Sequence, residues 1–187
     1  GTKSGRLDKT FFFGLFALFS YEVAEISINT FFINYVSDPG YVSPLHASFL
    51  LSFGGLSLFM AGRFGGSALM RCVAAERLLL VCALGALTCM ALVVAEVGWL
   101  SVGALIVCYL FESIMFPTVF ALSLSRAAGR EAQASSILMM SVVGGAVGPL
   151  LTGIFADRAS MSAAFVVPMV GFAVVGLFAL YCLRPRH

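Results

Sequence analysis

The sequence predicts an all-α membrane protein with six transmembrane helices, and three observations carry that prediction. Six apolar runs, each long enough to cross ~30 Å of hydrocarbon as a helix, fall at about 11–36, 45–62, 78–97, 100–124, 134–156 and 162–183. Hydrophobic residues make up 60% of the chain and charged ones 11%, against roughly 45–50% and about 25% in a soluble domain. The mean hydropathy is +1.02. The basic residues also segregate. Lys3, Arg6 and Lys9 precede the first run; Arg63, Arg71 and Arg77 lie between the second and third; Arg126 and Arg130 lie between the fourth and fifth; Arg184 and Arg186 follow the sixth. Of the eleven Lys and Arg residues, only Arg158 falls on the opposite side, with Asp38, Glu96 and Asp157.

That bias puts both termini in the cytoplasm, in a plasma membrane or a bacterial inner membrane. The net charge of +2 is topological anchoring and no sign of a nucleic-acid partner. Residues 1–187 read as one bundle in the lipid bilayer, without a soluble domain. The first run is too long and too acidic for a signal-peptide core, and a start at Gly1 without Met is expected of a segment cut from something longer. Five cysteines lack metal-ligand spacing and four lie in the runs. We expect no disulfide, no metal and no cofactor.

Each run has its own internal marks. The first holds Glu22, Glu25 and Asn29 at i, i+3 and i+7, one face of a helix. The second carries Gly54-Gly55 and reaches Gly62-Arg63-Phe64. The third contains Cys82 and Cys89 and reaches Glu96 near its end. The fourth places Tyr109, Glu112 and Phe116 on one face, and Pro117 removes a backbone donor. In the fifth, Gly144 and Gly148 form a small-residue face that allows close helix approach, and Pro149, with Gly144, Gly145 and Gly148, is expected to bend the helix. The sixth has Pro168 near its start. Six spans with both ends on one side fit two groups of three with inverted topology; the paired glycines of runs two and five support a 3+3 repeat.

An ionisable group at membrane depth is costly, and it marks a functional site by default. Glu25 and Glu112 sit near the midpoints of runs one and four, the corresponding members of the two triplets. That is the geometry of a midplane binding site. The other reading is a protonated carboxyl that serves packing, and for Glu22, nearer the cytoplasmic side, the two readings are even. Asn29 fits interhelical bonding or a cavity, and Tyr109 and Phe116 fit core or cavity. Motifs for nucleotide hydrolysis, zinc proteolysis and serine hydrolysis are absent, so no enzyme is expected.

The run Glu112-Ser113-Ile114-Met115-Phe116-Pro117-Thr118-Val119-Phe120-Ala121-Leu122 resembles the tenth-helix motif of the fucose:proton symporter family, in the major facilitator superfamily. Tyr21 to Tyr35 resembles the seventh helix. Gly62-Arg63-Phe64-Gly65-Gly66-Ser67 resembles the cytoplasmic loop after the eighth, and Val143 to Leu150 the eleventh. The resemblance covers essentially the whole chain. It implies one half of a major facilitator fold, helices seven to twelve, with the N-terminal six-helix half as missing partner. It implies a secondary active transporter that moves a hexose or deoxyhexose, such as fucose, glucose or galactose, with protons by alternating access. The expected sugar contacts are Glu25, Asn29 and Glu112, with ring stacking from Tyr109 and Phe116. Glu22 or Glu25 is expected to couple to protons. Glu22 and Asn29 depart from the family pattern, which more usually has a small or apolar residue and glycine there. The alternative expectation is a non-transporting receptor or scaffold built on a transporter half.

Overall fold

A computed structural model describes residues 8–127 and 129–184; Lys3, Arg6, Arg186 and His187 lie outside them. Among the described residues six helices are long and apolar enough to cross a membrane: α1 Lys9–Ser37, α2 Pro44–Leu69, α3 Ala75–Val94, α4 Trp99–Leu124, α5 Glu131–Arg158 and α6 Met161–Leu183. Successive helices alternate in direction. Lys9, Arg71, Arg77, Arg126, Arg130 and Arg184 therefore gather at one end of the bundle, here the basic end.

The expected runs fall inside these helices except at a few ends, and α2 differs most. Gly62 to Ser67, expected as a loop, continue the helix to Leu69. Glycine is a poor helix former, but here packing overrides propensity. A Cβ on Gly62 would meet the Leu110 carbonyl and Ser113, and one on Gly66 would meet Ile114, so both glycines are pressed against α4. Arg63 thus belongs to the span, its guanidinium 5.1 Å from the centre of the Phe59 ring.

The helices are irregular where backbone donors are missing. In α4, the helix stops at Glu112 and resumes at Met115. Pro117 offers no N–H to the carbonyl four residues earlier, that of Ser113, and its ring clashes with it. Pro168 acts alike on α6, which is interrupted at Phe165 just after Ala164. Pro149 behaves differently. Gly144–Arg158 is continuous α-helix around it, and the irregularity of α5 is a tight 3-10 turn at Met140–Val143. The glycines Gly144 and Gly148 pack closely against the backbone of α1. In α2, Leu50–Gly55 form a widened π-helical turn that the sequence reading did not anticipate.

The packing is symmetric between triplets. α1 packs on α5 and α6, while α4 packs on α2 and α3; α1 also meets α4, and α3 meets α6. Exchanging α1, α2, α3 for α4, α5, α6 leaves this pattern unchanged, as an inverted repeat requires. The main apolar core is built from α1, α3, α4 and α6. The apolar stretches of α2 and α5 are the least covered, 17% and 28% buried against 44–56% for the other four. They flank the central pair α1 and α4.

The α1–α5 contact rests on backbone approach. A Cβ on Gly148 would lie 2.7 Å from Ser27 Oγ and would meet the Val23 carbonyl. Overpacking such a contact costs about 1–3 kcal/mol. Gly148→Leu should lower the apparent Tm of the detergent-purified protein by several degrees. Gly103→Leu, where nothing lies within 4 Å of the new Cβ, should leave Tm within error in the same thermal scan.

Candidate functional site

The polar residues of runs one and four meet in a cleft between α1 and α4. Two hydrogen bonds set the register. The Tyr21 hydroxyl donates to the backbone carbonyl of Glu112 at 3.0 Å, and the Tyr109 hydroxyl donates to Asn29 Oδ1 at 2.9 Å. The helices are antiparallel, so Glu25, midway between Tyr21 and Asn29, stands level with Glu112. Phe116 packs against Tyr21 with ring centres 6.1 Å apart, and Phe32 meets Tyr109 edge-on at 6.1 Å. α1 lies along Met115–Leu124 and stands off from Trp99–Glu112. The two backbones therefore diverge away from the basic end, where the completely buried rings of Phe32 and Tyr109 fill the space between them.

Within this frame the expected residues take different positions. Glu25, Asn29 and Phe116 are half-buried and border the cleft. Glu112 is completely buried, and neither carboxyl oxygen has a hydrogen-bond partner among the described residues. A group in that condition is costly unless it is uncharged. Tyr109 is completely buried too. Its ring is capped by α2 at Gly55, where a Cβ would sit 3.0 Å from the ring. Tyr109 thus has no open ring face for the expected stacking, and its hydroxyl instead bonds the Asn29 amide oxygen, while Phe116 stays half-buried.

Glu22 is not part of the cleft wall on α4. It lies over the glycine pair of α5: a Cβ on Gly144 would be 3.2 Å from the Glu22 Cβ, and one on Gly145 would be 3.7 Å from Oε2. The absent side chains make its room. Glu25 is the common neighbour, within electrostatic reach of Glu22 and of Glu112.

The sequence reading passed over four residues. Tyr21 stands in the sequence only as the start of the segment resembling the seventh helix, yet its hydroxyl ties α1 to the break in α4. Arg63 was read as a topological anchor, yet it acts electrostatically on Glu25. Ser27 and Thr152 join α1 to α5 through a buried hydroxyl pair at 2.9 Å. Their signal was weak: hydroxyls in apolar runs usually bond their own helix, as Ser27 also does to the Val23 carbonyl. Among the described residues, no cluster of His, Cys, Asp and Glu is placed to hold a metal.

No protein-family model matches the chain. A glucose/galactose transporter of Brucella abortus is 35% identical over 170 residues, covering 89% of this chain and 41% of that protein. The L-fucose-proton symporter of Escherichia coli is 29% identical over 168 residues, covering 88% of this chain and 38% of that protein. Among solved structures, the major facilitator transporter FucP in its outward conformation superposes with a TM-score of 0.89 at 27% identity, over 95% of this chain and 43% of FucP. An asparagine-to-alanine variant of the E. coli fucose:proton symporter FucP gives 0.90 at 26% identity, over 95% and 44%. The chain spans about two fifths of the length of the relatives it matches. These relatives are transporters and not enzymes, and with six membrane-length helices the chain is an integral membrane protein. It is a homologue of glucose/galactose transporters and L-fucose-proton symporters and folds as one half of a major facilitator superfamily transporter.

Proposed function

We propose that this chain is the C-terminal six-helix half of a proton-driven transporter for a hexose or deoxyhexose, of the fucose, glucose or galactose class. The observation that carries the reading is the level pairing of Glu25 and Glu112 across the α1–α4 cleft, in a bundle whose homologues are sugar transporters. Both termini would be cytoplasmic. A six-helix N-terminal half would supply the opposite wall. It would also cover α2 and α5, whose exposed faces include Phe53 and Phe64, each 73% exposed.

The cleft offers what a sugar requires. Glu25 and Asn29 present donors and acceptors to hydroxyls, and Phe116 presents an apolar ring to the C–H face of a pyranose. Tyr109 holds the Asn29 amide in place by its hydrogen bond. Two negative charges near one another at low dielectric repel strongly. The Glu25–Glu112 pair is therefore suited to hold a proton that is exchanged as sugar binds and leaves. Rocking of the two halves about this site would expose it to each side in turn. Glu22, set apart over Gly144 and Gly145, has the weaker claim to proton coupling.

Two measurements test this reading in the transporter that contains the chain. Glu25→Gln and Glu112→Gln should each lower proton-driven uptake of labelled sugar into proteoliposomes by at least tenfold, with the protein still inserted and monodisperse. Full uptake in both variants would sink the proposal. Tyr109→Phe frees the Asn29 amide and removes one hydrogen bond, which is worth about 1 kcal/mol. Its sugar KM should rise roughly fivefold with the maximal rate largely kept.

A further inference from the structure

The break in α4 is held on two sides. From α2, Gly62 lies against Leu110 and Ser113, and Gly66 lies against Ile114. With no side chains there, the broken turn faces a smooth backbone surface. From α1, the hydroxyl of the completely buried Tyr21 reaches the Glu112 carbonyl at 3.0 Å. Glu112 is the last residue of the upper helical segment, and Ser113 and Ile114 separate it from the lower one, which begins at Met115. A carbonyl next to such a break has a weakened claim on the helix, so a side-chain donor from another helix decides where it points.

The same residue carries the carboxyl that the structure leaves buried without a partner. Carbonyl and side chain share one Cα. A turn at the break that releases the carbonyl from Tyr21 also rotates the carboxyl, and the nearest polar surroundings are the cleft beside Glu25. We propose that Tyr21 is the positioning residue of this site: its hydroxyl, by holding the Glu112 carbonyl, keeps the Glu112 carboxyl in its buried seat, and its release lets that carboxyl turn into the cleft. The role extends the transport reading and rests on it for its purpose, but the geometry is a property of the chain without sugar.

The test uses Tyr21→Phe in the purified, lipid-reconstituted protein. The carboxyl C=O stretch of Glu112 is identified by infrared difference as the band lost in Glu112→Gln. Amide hydrogen exchange is followed over residues 112–118. Removing the hydroxyl should shift the Glu112 band and speed exchange across the break at least fivefold. Tyr35→Phe is the control: it deletes an equally buried tyrosine-to-carbonyl bond, Tyr35 to Val93 at 2.8 Å, far from the break, and should leave the Glu112 band unmoved. An unchanged band and unchanged exchange in Tyr21→Phe overturn the proposal, as does an equal band shift in Tyr35→Phe. If Tyr21→Phe does not fold, 3-fluorotyrosine at position 21 keeps the ring and changes only the donor strength. It should still move the band, and no movement overturns the proposal. Both readouts are taken without sugar, so a protein that carries no sugar removes the transport reading and leaves this one standing. Normal uptake with unmoved readouts does the reverse.

Discussion

Close approach of neighbouring backbones to α1 is the contact on which the rest depends. Lipid tails are as apolar as the helix surfaces, so helices in a bilayer associate through tight packing and hydrogen bonds. Here glycines supply the tight packing. Cβ atoms on Gly144 and Gly148 of α5 would collide with the carbonyls of Phe19 and Val23, and one on Gly171 of α6 would collide with that of Ser20. These three contacts engage one side of α1 and fix its rotation about its own axis. The opposite side, with Tyr21 and Glu25, is thereby turned to α4. The Ser27–Thr152 bond adds a polar pin to the same interface.

The second triplet repeats the arrangement around α4. Gly62 meets the Leu110 carbonyl and Gly55 meets the ring of Tyr109, so α2 seats α4 much as α5 seats α1. Each of the two central helices then sends one tyrosine hydroxyl to the other, Tyr21 to the Glu112 carbonyl and Tyr109 to Asn29. The cleft is bracketed by these two bonds, with Glu25 between them. Its geometry thus follows from glycine positions in helices that contribute little else to the site.

The number of helices, their approximate limits and the pairing of runs one and four were legible because they depend on long-range composition and on helical periodicity. The facing of Glu25, Asn29 and Phe116 followed from spacing alone. What escaped was set by partners that spacing does not encode. Gly62 and Gly66 look like loop formers until α4 is laid against them. Tyr109 looks like a stacking ring until Gly55 is seen to cap it. Pro149 and Pro117 look equivalent, yet the helix breaks only at the second, four residues after Ser113. Whether a carboxyl faces the cleft or the protein interior also depends on a break that displaces its backbone, and Glu112 sits beside one.

The two walls of the cleft are mechanically unequal. α1 is unbroken α-helix from Lys9 to Ser37 and is engaged by α4, α5 and α6. Bending it would strain intact hydrogen bonds at every turn and open three glycine contacts at once. α4 has already lost the bond that Pro117 cannot make, and at its break it rests against the side-chain-free surface of Gly62 and Gly66. Turning α4 there breaks few backbone hydrogen bonds. A charge or ligand arriving between Glu25 and Glu112 acts on both walls equally, but the response must fall on the wall that resists less. On the transport reading proposed above, α1 would serve as the fixed reference of the site and α4 as the part that yields.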